Sequence, residues 1–250
     1  MKQATFRPDG SGDVIVTGIS SVPVTMQRRP YTEWNVVKQP GVARANTAPS
    51  ESHPEGTTEG DYSSKRTNRT VLQQHCDFFD LNGDGIVTPY ETFVGFRLVN
   101  WNIIMAFFAT ILIHIGFSYV TLPPGQIIPD PLFRIYLNNV NAAKHGGDTG
   151  TYDAEGRFIP QFFADFFSKF GSKMDNGDWG MTFKQAINGS ISQRAVGDPF
   201  GLLSAFLEWN ATYLTIWPAD GVMRMEDVRA VYDGSYFYKV AGERRQMYAS

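Results

Sequence analysis

Apolar residues are sparse and irregularly spaced from Met1 to about Thr70, then become dense and periodic. The early stretch is polar and punctuated by Pro8, Pro23, Pro30, Pro40, Pro49 and Pro54, with scattered apolar residues such as Val14, Ile15 and Val16. This pattern predicts an irregular arm over residues 1–70, for which Tyr31, Trp34, Val36 and Val37 offer anchors to a globular part. At Val71 the apolar positions fall into helical spacing, and a helix begins there. Phe158, Phe162, Phe163, Phe166, Phe167 and Phe170 lie at i, i+3 and i, i+4 offsets, which predicts an aromatic core stripe. Asp198 and Pro199, followed by Phe200, Leu202, Leu203, Ala205, Phe206 and Leu207, read as a capped helix start with proline in its first turn. The expected fold is mainly α, with a helical domain over residues 71–240 and a short tail over 241–250.

Between Leu98 and Pro129 there is no Asp, Glu, Lys or Arg, and residues 103–119 are almost wholly apolar. A helix of about 17 residues is roughly 25 Å long, short of the ~30 Å hydrocarbon core of a bilayer. The whole apolar segment, 101–122, would only just span, and it ends in a proline cluster over 123–131 with no flanking charge cluster. Insertion into one leaflet, burial in a soluble core and a true span all remain open.

Composition narrows the function. With 42% hydrophobic and 14% aromatic residues the chain folds, and 22 basic against 25 acidic residues leave no basic field of the kind that draws nucleic acid. The single cysteine, Cys76, excludes an internal disulfide and a cysteine-rich zinc cluster. Residues 1–13 carry no apolar core of a cleaved signal peptide, so secretion is not expected.

One motif carries explicit chemistry. Asp80, Asn82, Asp84, Gly85 and Glu91 match the D-x-N-x-D-G-x5-E pattern of an EF-hand calcium loop at every specified position. Asp80, Asn82 and Asp84 supply hard oxygens, Gly85 makes the sharp turn, Ile86 offers its carbonyl and Thr88 a hydroxyl or a water. Glu91 opens the exit helix and can close the ion with both oxygens. Such loops pair through short central strands, and the best second candidate centres on Asp220 and Gly221. Its first and third positions are Ile216 and Pro218, so it is expected to bind no ion, though Val222 could pair with the calcium loop. The four histidines, His53, His75, His114 and His145, form no metal triad by spacing.

The order of motifs is more specific than any one of them. Gln73-Gln74-His75-Cys76-Asp77-Phe78-Phe79-Asp80, the calcium loop, Glu91-Thr92-Phe93-Val94-Gly95-Phe96-Arg97, the uncharged stretch and the prolines together resemble the caleosin family. The segment from Ala143 to Phe158, Asp198-Pro199-Phe200-Gly201, Tyr232-Asp233-Gly234-Ser235 and His53-Pro54-Glu55-Gly56-Thr57 extend the resemblance from about Pro23 to Phe237. Phe133-Arg134 stand where a further proline of the family's proline knot is common.

The resemblance implies a calcium-binding protein of lipid droplets and endoplasmic reticulum membrane, monotopic or peripheral, with a cytosolic fraction and scope for homo-oligomers. It implies a haem b peroxygenase that uses lipid hydroperoxides to hydroxylate or epoxidise unsaturated fatty acids. The family's two haem-associated histidines fall on His75 and His145, and the helix next to the calcium loop favours His75 as proximal ligand. No nicotinamide is needed, in keeping with the absence of a G-x-G-x-x-G fingerprint. The rival reading is a non-catalytic calcium-dependent coat or tether on lipid droplets.

Overall fold

The structure, a computed structural model, describes residues 6–8, 14–16, 47–66 and 68–249. The anchors expected at Tyr31, Trp34, Val36 and Val37 lie outside the described residues. Strands β1 (Phe6–Pro8) and β2 (Val14–Val16) pair antiparallel near the start of the chain.

Residues 47–66 pack onto the helical body. Ala48 and Ser50 are fully buried, the Thr57 hydroxyl donates to the Asp233 carboxylate at 2.6 Å, and Tyr62 donates to the Asp233 carbonyl at 2.7 Å. Helix α1 (Val71–Asp77) opens on a capping box: Thr70 accepts from Gln73 N, and Gln73 accepts from Thr70 N. The calcium-type loop follows, with β3 (Ile86–Val87) inside it and α2 (Pro89–Leu98) leaving it through a second capping box, Thr88 with Glu91.

The uncharged stretch forms α3 (Ile103–Phe117), capped by Asn102, and its 15 residues are shorter than the expected 101–122 segment. Among the described residues no helix is long and apolar enough to cross a membrane. Nor is α3 a core helix. Ala106, Thr110 and His114 are buried, but Ile103, Ile104, Phe107, Phe108, Ile111, Leu112 and Ile115 are exposed.

Strand β4 (Ile135–Tyr136) returns to β3, with Val87 opposite Ile135, and a 3₁₀ stretch, Leu137–Ala143, follows. Helix α4 (Pro160–Phe170) carries the aromatic stripe: Phe163, Phe166 and Phe167 are buried along with Phe158, while Phe162 faces outward. Strands β5 (Ser172–Lys173) and β6 (Trp179–Thr182) lead to α5 (Phe183–Gln193), and α6 (Pro199–Ile216) starts at the Asp198 cap as its sequence predicts. Strand β7 (Val222–Arg224), α7 (Met225–Tyr232) and α8 (Ser235–Ala249) complete the chain, so residues 241–249 continue a helix.

The strand pairings reveal two back-to-back loop pairs. In the calcium-type loop the eighth position is Val87; its partner Ile135 sits at the eighth position of residues 128–139, where Phe133 takes a left-handed φ of 52° at the place of Gly85. The Asp220–Gly221 loop pairs instead with β6, Met223 opposite Met181, and not with the calcium loop. Its core partner is therefore the α4–α5 unit: Met181, Met223, Val228, Phe158, Phe163, Phe166, Phe167 and Trp209 form one buried cluster, with Phe166 and Trp209 stacked 5.4 Å apart. A second cluster, containing Phe78, Phe96, Trp101 and Phe237, joins α1, α2, α3 and α8.

Candidate functional site

The calcium-type loop has the turns that the motif demands. Asp80 accepts from the amides of Gly83, Asp84 and Gly85 at 2.8–3.1 Å, Asn82 accepts from Asp84 N, and Asp84 accepts from Ile86 N. Glu91, buried, accepts from both the amide and the hydroxyl of Thr88. Among the described residues no three His, Cys, Asp or Glu side chains already converge as a metal cluster. The donor set nonetheless suits calcium: it consists of hard oxygens, and Asp80, Asn82 and Asp84 stand at alternate positions on an exposed turn. No other loop in either pair offers this set. Residues 128–139 place Ile128 and Leu132 at the first and fifth positions, and Asp130 at the third is buried and bonded to Arg134 and Tyr136.

One histidine bonds the helix that leaves the calcium-type loop to the apolar helix. His114 Nδ1–H donates to the Phe133 carbonyl, so its Nε2 accepts from the Thr92 hydroxyl at 2.8 Å, one residue beyond Glu91. Burial pushes the His114 pKa down, and the neutral ring is the form that makes both bonds.

His75 sits on the face of α1 that packs on α7 and α8. A Cβ on Gly234, whose φ is 80°, would lie 2.5 Å from Gln74 O and 2.9 Å from the His75 Cα, so only glycine lets the α7–α8 junction approach this closely. The junction is itself held by the buried pair Arg229–Asp233 and by Asp233 accepting from Ser235 N. His75 Nδ1–H donates to the Val231 carbonyl at 2.7 Å, and Phe237 meets the ring edge to face. That bond fixes the tautomer and leaves Nε2 with its lone pair, the arrangement of a metal-ligating histidine. Burial lowers the His75 pKa, keeping the lone pair available at neutral pH. Its neighbour Cys76 is pushed up to about 12 by burial, so it is a thiol and no thiolate ligand.

His145 follows the 3₁₀ stretch on a glycine-rich turn. Its side chain is only 6% exposed, its Nε2 meets Glu208 Oε1 at 3.2 Å, and its Nδ1 is buried without a partner. Burial alone would lower its pKa, but Glu208, with Asp148 and Asp198 adding, raises it above the ordinary histidine range. The Glu208 charge also acts on His75, Tyr152 and Tyr232, and the two tyrosine rings lie 5.1 Å apart. Tyr152 donates to the Tyr232 carbonyl, and the Tyr232 hydroxyl bonds with Thr149 at 3.0 Å. The two sequence-identified histidines thus fit a haem group in complementary ways: one presents a free Nε2, the other a buried nitrogen with nothing to bond.

Sequence reading missed Glu208, Tyr152 and Tyr232. Glu208 had a signal, being the lone charged residue of the 18-residue helix α6. The tyrosines lie in segments that carry the family resemblance, but nothing in their spacing marks them as neighbours.

The profile of the family described as "Caleosin related protein" matches residues 67–241. The chain is 35% identical to a "Peroxygenase" of Lilium longiflorum over 92% of this chain and 93% of that protein. It is 36% identical to a "Probable peroxygenase 4" of Arabidopsis thaliana over 69% of this chain and 86% of that one. A "Probable inactive peroxygenase-like protein" of Arabidopsis thaliana is 29% identical over 60% of this chain and 69% of that one. No solved structure matches.

Proposed function

The chain belongs to the caleosin family and is a caleosin-type peroxygenase, and from that premise we propose that it works on fatty-acid hydroperoxides with one haem b and one calcium ion at a lipid surface. The observation that carries the reading is the pair of histidines, His75 with Nε2 free and His145 with Nδ1 unpartnered. His75 would hold the iron, and His145 would serve the reaction as proton carrier. When bound, the haem supplies the redox chemistry by which one peroxide oxygen reaches a lipid alkene.

The chain's own residues do the rest. Val231 fixes the tautomer of His75 through Nδ1–H and so presents Nε2. His145 takes the hydroperoxide's proton at one oxygen and returns it to the other, which leaves as the alcohol. Positioned proton transfer of this kind contributes about 10²–10⁴-fold.

Support for a lipid surface comes from the exposed apolar side chains of α3 with Ile127, Ile128, Leu132 and Phe133 of the neighbouring loop. Such a contiguous apolar face marks an interaction site, and a lipid droplet or endoplasmic reticulum membrane suits its lack of charge. Calcium in residues 80–91 would brace α1 and α2 at the base of that face. The competing reading, a non-catalytic calcium-dependent coat, draws on the same apolar face and needs no haem. Haem reconstitution decides between them: a Soret band at one haem per chain together with hydroperoxide-dependent epoxidation supports the peroxygenase, whereas lipid binding without either supports the coat.

A further inference from the structure

Helix α6 holds the His145 turn at two separate points. At its start the Asp198 carboxylate accepts from Gly146 N at 2.9 Å while capping its own helix through Gly201 N at 2.7 Å. The next glycine, Gly147, lies so close to α6 that a Cβ there would stand 2.8 Å from Gly201 O. Gly201, Ala205 and Glu208 share one face at i, i+4 and i+7, and the two small residues let the turn lie along the helix. At the far end of that contact stands Glu208. A carboxylate in the middle of a helix gains nothing from either helix end, and the other 17 residues of this one carry no charge.

We propose that Glu208 is a positioning residue of this site, the group that fixes the His145 imidazole in one tautomer and one orientation. The inference rests on the functional reading above but is argued from the chain's own atoms. The carboxylate can only accept, so the His145 Nε2 must carry the proton that bridges the 3.2 Å contact. The neutral ring then has its lone pair on Nδ1, the nitrogen that is buried with no partner. A proton acceptor is thereby aimed inward. Glu208 itself is 54% exposed on its side chain and lies on the outer side of the ring, so it orients His145 without reaching the reacting atoms. His75 is set by a different device, a backbone carbonyl, with the opposite nitrogen free. The two rings therefore present Nε2 from one and Nδ1 from the other, an asymmetry that separates an iron ligand from a proton carrier.

The test uses the haem-free full chain with ¹⁵N-labelled histidine, observed by long-range ¹H–¹⁵N correlation at mildly alkaline pH. Wild type is expected to show His145 as the Nε2–H tautomer and His75 as the Nδ1–H tautomer. In Glu208→Ala and Glu208→Leu, the second chosen because leucine suits an apolar helix, His145 should turn into a tautomer mixture while His75 stays unchanged as the internal control of folding. Reconstituted with haem, both variants should keep the Soret band and lose about 10–100-fold in kcat with KM little changed, the size expected when an orienting partner is removed. A His145 tautomer and a kcat unchanged in both variants would overturn the proposal. Failure of the wild type to take up haem would instead count against the functional reading, and the tautomer measurement would still decide the role of Glu208.

Discussion

Two of the imidazoles are kept neutral by burial, and that fixes the direction of their response to acid. His75 and His114 have folded-state pKa values below the ordinary value of 6.5, with desolvation as the first cause for each. The unfolded chain takes up these protons first as pH falls, so the stability they contribute is full above about pH 6.5 and is lost below it. His145, raised by Glu208, runs the other way: its contribution is present below the ordinary value and fades as pH rises through the folded one. The His114 contribution should therefore lower the urea midpoint as pH falls from about 7 to about 5. Replacing His114 by Gln should flatten that slope; a slope identical to wild type would show that His114 does not titrate as described. At Gly234 the argument is steric. Gly234→Ala must place a Cβ in a left-handed position, at about 1–2 kcal/mol, and against the Gln74 carbonyl as well. Urea unfolding should show a loss of at least that size, along with weaker haem retention because α1 is displaced. An alanine variant of wild-type stability would contradict the close approach. Residue-level chemistry was legible in the sequence only where it followed a motif. His75 and His145 emerged from their family context, whereas Glu208 was visible merely as an isolated charge and Tyr232 only as part of a segment without an assigned role, because their roles depend on helices meeting across long separations.

Among elements, side-chain chemistry separates the paired loops as candidate ion sites. Loop 80–91 has carboxylates at its first, fifth and twelfth positions, its β-partner has Ile128 and Leu132 at the first and fifth, and the 216–227 loop has Ile216 and Pro218 at the first and third. Calorimetric titration should therefore find one calcium ion per chain, and Glu91→Gln should weaken it strongly as a charged bidentate ligand becomes neutral. Two ions retained by Asp80→Ala would overturn the assignment. The sequence predicted the helix from Val71 and the capped start of α6, since local capping and spacing decide them. It did not show that 128–139 is the partner of the calcium-type loop, because with Ile128 and Leu132 at its first and fifth positions that loop has no motif to read; only the Val87–Ile135 register exposes it. Periodicity also left α3 undecided, as an apolar run looks the same in a core or on lipid, and its exposed Phe107, Phe108 and Ile111 exclude the core. Ile111→Arg should release the protein from phospholipid-coated oil droplets, a charge in that environment costing about 2.5–3.5 kcal/mol. Undiminished flotation of a folded Ile111→Arg chain would remove α3 from the lipid contact.

Across the whole molecule, calcium loop, apolar face and histidine site are built on adjoining elements. Helix α1 carries His75 and leads directly into the calcium loop; α2 leaves that loop and meets α3 through Thr92 and His114. The Asp233–Gly234–Ser235 junction and residues 47–66 close the other side of α1, so a helix of only seven residues is held from both its flanks. His75 is thus set through α1 and the Val231 carbonyl, whereas His145 is set through α6 by Asp198 and Glu208. The most direct measurement is parallel haem titration and single-turnover epoxidation of His75→Ala and His145→Ala. The account predicts that His75→Ala loses haem itself, while His145→Ala keeps a Soret band at full stoichiometry and turns over about 10²–10⁴-fold more slowly. Haem lost from His145→Ala but kept by His75→Ala, or full activity in both, would contradict it.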